Sequence, residues 1–134
     1  SLGSGSSSAD AASLWLESRT AMLLAKLRSG AQFSARDALE IATVGGAQCL
    51  GRDGELGRLQ VGAVADLAVW RLSGPTFAGA IADPVEAWLR CGPTSAWHTI
   101  VNGRFVVSSG ELVSPELDSM LTDHRRISAR FQAG

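Results

Sequence analysis

Apolar residues recur at helical spacing through residues 11–28, and the turn places Leu14, Trp15, Ser18, Met22 and Ala25 on one face. Leu16, Leu23, Leu24 and Leu27 widen that surface beyond a single stripe, which implies a helix covered on more than one side, by its own fold or by a partner. Asp10 stands where a carboxylate cap would meet the unpaired N–H groups of the first turn. Lys26, Arg28 and Gly30 stand where a helix end favours bases and then a glycine. A second helical stretch starts at Ser34, with Asp37 three residues on, a weaker relative of the capping box. It carries Ala38, Leu39, Ile41, Ala42 and Val44 on to Cys49 and Leu50, and Gly51 ends it. Gly45-Gly46 inside this helix costs about 1 kcal/mol per glycine relative to alanine. Close backbone packing against a neighbour is the expected compensation.

After Gly57 the period shortens. Residues 65–72 are a compact apolar run behind turn signals, which predicts a mostly buried strand stopped by Gly74-Pro75. Asp83-Pro84 opens a short helix through Leu89, with Asp83 as cap and the proline where its missing N–H costs nothing. Residues 97–101 and 104–107 flank Asn102-Gly103, a dipeptide that accepts the positive φ angles of a type I′ turn, so a hairpin is predicted. Ser114-Pro115-Glu116 opens a last helix whose stripe is Leu117, Met120, Leu121, His124, Ile127 and Phe131. The first ten residues are rich in Gly and Ser and read as a loop or linker.

This alternation of helices and short strands predicts an α/β or α+β domain. The chain has 134 residues, 46% of them apolar and 19% charged, enough for a packed core without staples. The net charge of −1 gives no basic field for a nucleic-acid backbone, and Arg125, Arg126 and Arg130 read as dipole compensation on one terminal helix. Glu17, Arg19 and Lys26 interrupt the apolar runs well short of the ~20 residues a membrane span needs. Neither nucleic acid nor membrane is therefore an expected partner. Cys49 and Cys91 lack metal-ligand spacing and read as buried free thiols in preference to a disulfide. With no secretory leader in view, a reducing cytoplasm is the expected compartment.

The groups available for chemistry are few. His98 falls in a hairpin strand and reads as a cross-strand pair; His124 falls on the apolar stripe of the last helix and reads as an interfacial filler with its ring packed. A catalytic zinc wants three protein ligands, and two separated histidines do not supply them. No serine stands in a G-x-S-x-G elbow and no Walker lysine follows the Gly/Ser start. Asp66, at the start of its strand, reads as a structural carboxylate bonded to nearby backbone N–H groups. No catalytic, cofactor-binding or metal-ligating residue is assigned.

Several segments resemble, in order, the closing part of amidohydrolase-superfamily enzymes. Gly57-Arg58-Leu59-Gln60-Val61-Gly62-Ala63-Val64-Ala65-Asp66-Leu67 is similar to the "G-x-L-x-x-G-x-x-A-D-L" strand, and Val101-Asn102-Gly103-Arg104 to the late "V-N-G-R/K". Ala38-Leu39 through Ala42-Thr43, Gly45-Gly46-Ala47 and Leu50-Gly51 resemble the "A-L-x-x-A-T-x-G-A-A-x-x-L-G" helix. Gly5-Ser6-Ser7-Ser8-Ala9-Asp10 is similar to the "D-G-S-A-S-N-D" segment of the cytosine-deaminase-like branch. Phe77-Ala78-Gly79-Ala80 before Asp83-Pro84-Val85 points within it to 8-oxoguanine deaminases and hydroxyatrazine-type hydrolases.

The resemblance implies a (β/α)8 barrel with a small β-sandwich, of which this chain would supply the C-terminal third. Residues 1–52 would be the loop after the last barrel strand and the final barrel helices, 53–113 the second half of the small β domain, and 114–134 a C-terminal helix. It implies zinc or iron in the full-length enzyme and hydrolytic deamination of a purine-like or triazine-like ring. The metal-ligand Asp of the last barrel strand falls on Ser4, a neutral hydroxyl, and Asp10 matches a helix-cap position. The chain alone is accordingly expected to hold no metal and to turn nothing over. Its expected partners are the missing N-terminal part of the barrel or a second copy, in a homo-oligomer. A non-catalytic interaction module from the same family is the competing reading.

Overall fold

The computed structural model describes residues 1–4 and 12–132, the side chains of Ser29 and Ala31 excepted. Helix α1 (Leu14–Ser29) leads through one 3-10 turn (Gly30–Gln32) into α2 (Ala35–Ala42) and α3 (Val44–Cys49). A long irregular segment reaches β1 (Leu67–Val69), and α4 (Pro84–Cys91) follows. The meander β2 (His98–Val101), β3 (Arg104–Ser108) and β4 (Glu111–Leu112) precedes α5 (Leu117–Gln132). The four strands form one antiparallel sheet in the order β1-β2-β3-β4. Helices thus stand apart from an antiparallel sheet, the α+β form of the predicted class.

The helix ends show which local signals decided. The expected cap Asp10 lies outside the described residues; α1 starts at Leu14, where the Ser13 hydroxyl accepts from Leu16 N–H. Gly30 closes α1 at φ 74° and returns its N–H to the Lys26 carbonyl. At α2 the full capping box forms: Ser34 Oγ accepts from Asp37 N–H while Asp37 Oδ2 accepts from Ser34 N–H at 2.7 Å. The Ser34 hydroxyl bond comes first among the causes that hold the Asp37 carboxyl below its usual range. Helix α4 has Asp83 as cap, its Oδ1 accepting from the N–H groups of Val85 and Glu86, with Pro84 in the first turn. The Glu86 N–H bond leads the causes that lower the Asp83 carboxyl. The last helix begins two residues later than the sequence implies, because Ser114-Pro115-Glu116 close a turn in which Leu117 N–H reaches the Ser114 carbonyl.

The single helix expected over 34–50 is two. Thr43, at φ −106° and ψ −78°, caps both segments and divides the stretch into α2 and α3. Gly45 and Gly46 need no close packing: an added Cβ would meet ordinary contacts at Gly45 and open space at Gly46. The strand expected over 65–72 shortens to Leu67–Val69 and is largely exposed. Trp97 N–H bonds the Val69 carbonyl and ends the ladder there, while Trp70 and Leu72 turn onto the helices.

The core is helical. Trp15, Met22, Ala35, Ala38, Trp88 and Leu89 are buried together, drawing α1, α2 and α4 into one cluster. Trp15 Nε1–H donates to the Trp88 carbonyl at 2.8 Å, and Arg19 donates to the carbonyls of Leu89 and Arg90, so α1 satisfies the C-terminal end of α4. Of the face expected for α1, Trp15, Ser18 and Met22 are buried, whereas Leu14 is exposed with Leu23, Leu24 and Leu27.

Glu86 ties α4 to α2. Its Oε1 accepts from the N–H of buried Ala35 at 2.8 Å and its Oε2 holds Arg90 on its own helix. The Ala35 bond is the first cause that lowers the Glu86 carboxyl from its ordinary 4.5. A depressed carboxylate stabilises the fold fully above its unfolded pKa, and that contribution disappears as pH falls through the folded one. Stability is therefore expected to fall as pH drops below about 4.5, with Glu86→Gln flattening this acid limb because its amide keeps an acceptor that does not titrate. Urea midpoints of both proteins from pH 7 to pH 3 test this, and identical slopes would contradict it.

Candidate functional site

The two segments that most resemble family motifs meet in space. Asp66 Oδ1 accepts from the N–H of Asn102 at 2.7 Å, and Gly103 N–H donates to the Ala65 carbonyl at 3.0 Å. Asn102 and Gly103 both take positive φ, 48° and 76°, as the two-residue turn requires. The hairpin pairs Val101 with Arg104 and Ile100 with Phe105, then carries a bulge before Thr99 meets Val107. The Asp66 carboxylate therefore pins the tip of the β2–β3 hairpin to the start of β1.

Upstream, Gly57 lies on the helix break. At φ 79° it approaches the Thr43 carbonyl so closely that an added Cβ would stand 2.8 Å from the Thr43 C and O atoms. Beside this contact an open cleft of about 500 Å³ is lined by Arg36, Glu40, Thr43, Arg58 and Gln60 among others. A second hollow, about 200 Å³, is apolar, walled by Leu39, Trp70, Leu72, Pro84, Val85 and Trp88. Trp70 and Trp88 pack there with ring centroids 4.9 Å apart, and the buried Trp88 indole N–H has no acceptor among the described residues.

The residues weighed for chemistry do not converge on either hollow. His98 Nδ1 accepts from Ser109 N–H at 3.3 Å, and its ring meets Phe105 edge-on at 5.4 Å, a structural cross-strand position. His124 is exposed on α5, so its ring is not packed within this chain. Cys49 is exposed and Cys91 half-buried, against the expectation of two buried thiols, because α3 and the end of α4 turn those positions away from the helical core. Ser4 is half-buried, and Asp10 lies outside the described residues. Among the described residues no three His, Cys, Asp or Glu side chains lie together as metal ligands. The donor set of these residues does not fit a catalytic metal ion.

Sequence reasoning missed Glu86 and Arg19 as the groups that position α4. Glu86 sits in the first turn of its helix, a placement that dipole compensation alone explains, and its second partner, Ala35, is far away in sequence. No helix of the described residues is long and apolar enough to cross a membrane.

The sequence profile of the amidohydrolase family matches residues 1–109. The 8-oxoguanine deaminase of Pseudomonas aeruginosa is 37% identical over 131 residues, 97% of this chain and 29% of the relative. The 5-methylthioadenosine/S-adenosylhomocysteine deaminase of Halobacterium salinarum is 40% identical over 101 residues, 72% of this chain and 22% of the relative. The chain thus spans less than a third of the length of these curated relatives. Among solved structures, atrazine chlorohydrolase of Arthrobacter aurescens complexed with zinc superposes with a TM-score of 0.70 at 32% identity. That match covers 81% of this chain and 25% of the neighbour. An adenosine deaminase from Xanthomonas campestris with bound zinc superposes at 0.78 with 24% identity, over 92% and 28% of the two chains, a likeness of fold.

Proposed function

Because this chain belongs to the amidohydrolase family, we propose that it supplies the closing, non-catalytic portion of a metal-dependent hydrolytic deaminase. The parent reaction is hydrolysis of a C–N bond other than a peptide bond, on a purine-like or triazine-like ring. Deaminases of purine compounds and a triazine-class hydrolase among the relatives support that substrate class. Zinc in the solved neighbours supports metal dependence of the whole enzyme.

The observation that carries the reading is the division of labour within the chain. The residues that match family motifs, Gly57, Asp66, Asn102 and Gly103, are spent on turns and on pinning a hairpin, and among the described residues no three His, Cys, Asp or Glu side chains come together as metal ligands. A hydrolase site needs a nucleophile, an acid or base and charge stabilisation within reach of one another. That machinery belongs to the rest of a barrel. An open outer edge on β1, the apolar hollow beside Trp88 and the exposed leucines of α1 support the remainder of the barrel as a partner. Two free cysteines support the cytoplasm as the compartment.

The purified chain alone is expected to contain far less than one zinc per molecule and to release no ammonia from 8-oxoguanine or from an aminotriazine. Elemental analysis and an ammonia-release assay check this. Stoichiometric zinc accompanied by turnover would overturn the reading.

A further inference from the structure

Helix α5 places none of its side chains in the core, yet it is strongly amphipathic. Met120 is 56% exposed, Ile127 46% and Phe131 85%. Written as a heptad, Leu117, His124 and Phe131 take the a positions and Met120 and Ile127 the d positions. The charges of this helix are divided along its length, and Asp123 and Arg130 are the ones that flank the seam. Asp118 and Asp123 fall in its first half, Arg125, Arg126 and Arg130 in its second. Asp123 holds Arg126 at 3.0 Å, whereas Arg125 and Arg130 have no carboxylate partner among the described residues.

We propose that α5 is a homodimerisation element that packs antiparallel against α5 of a second copy of this chain. Only that orientation sets each acidic half on a basic half; a parallel pair would stack like on like, which destabilises. With the two-fold axis between Arg125 and Arg126, His124 of each copy comes level with Ile127 of the other, and Phe131 with Met120. Asp123 and Arg130 share the g edge of the heptad. In this register each Asp123 falls within about half a helical turn of the other copy's Arg130, so the same ion pair forms twice. The exposed leucines of α1 have no such charge division, and the self-complementarity of α5 is what selects a second copy as occupant. The proposal is independent of whether the chain is catalytically silent.

Sedimentation and light scattering of the chain across a concentration series read the association. The chain is expected to dimerise, and Ile127→Asp to abolish the dimer. Asp123→Arg and Arg130→Asp, each alone, place like charges together twice and are expected to weaken the dimer about tenfold or more. The two single variants mixed together restore both opposite-charge pairs, and so does the double variant, so an equimolar mixture is expected to form heterodimers. A monomer at all concentrations would overturn the proposal. So would a dimer indifferent to both charge reversals, which would place the contact on α1. Protection of α5 from hydrogen exchange only when the missing barrel portion is supplied would assign the face to an intramolecular partner and equally overturn it.

Discussion

Trp15→Ala is expected to destabilise the chain by about 3–5 kcal/mol, the range for removing a large aromatic side chain from a packed core. Trp15 is 9% exposed and stands where three elements meet. Its indole N–H satisfies the Trp88 carbonyl, its ring lies against Gly92 so tightly that an added Cβ there would stand 2.5 Å from it, and Arg19 lies over its face at 5.7 Å. Truncation leaves a cavity, an unpaired carbonyl at the end of α4, and an arginine whose remaining hydrogen bonds must hold the α1–α4 contact. A marginally stable domain has about 5–15 kcal/mol in total, so the variant is expected to be largely unfolded under mild denaturant. Trp15→Phe keeps most of the buried area and loses the hydrogen bond, and is expected to cost roughly half as much. Urea unfolding followed by far-ultraviolet circular dichroism distinguishes the two. A Trp15→Ala variant within about 1 kcal/mol of the parent would mean that this cluster does not hold the helices together.

The elements that were legible in the sequence are those whose ends carry their own chemistry. Asp83 followed by Pro84, Ser34 answered by Asp37, and Asn102-Gly103 each satisfy backbone groups within a few residues, so the local sequence suffices to place α4, α2 and the hairpin. The role of Asp66 was legible for the same reason, since a carboxylate at a strand start seeks backbone donors, although its partner Asn102 lies 36 residues away. What escaped depends on distant neighbours. The break at Thr43 falls two residues ahead of Gly45-Gly46 and is occupied by the backbone of Gly57, a neighbour distant in sequence. The exposure of Cys49 and of the α1 leucines depends on which helix faces are covered, a tertiary property that periodicity does not encode. For the candidate site, the family was visible in the order of the motifs. The two hollows were not, because each is walled by residues from separate elements.

Gly57→Ala is the second substitution expected to have a large effect, and it separates two costs that glycine usually hides. At φ 79° an L-residue loses roughly 1–2 kcal/mol from the left-handed backbone alone. The added Cβ would also stand 2.8 Å from the Thr43 C and O atoms and 2.9 Å from the Val44 N atom. These are backbone atoms at the junction of α2 and α3, and no rotamer change moves them aside. Either the segment leading to Asp66 lifts away or the helix break shifts, at a further overpacking cost of about 1–3 kcal/mol. The total is expected to reach about 2–5 kcal/mol. Gly62→Ala is the internal control. Gly62 also has positive φ, 90°, but an added Cβ meets nothing within 4 Å, so only the backbone cost applies. Parallel urea titrations of the two variants are expected to differ by at least about 1 kcal/mol, with Gly57→Ala the weaker protein. Equal losses would show that Gly57 is retained for its turn alone. A larger loss at Gly57 assigns the glycine to contact, and makes the first glycine of the motif the point where the strand segment is registered against the helices.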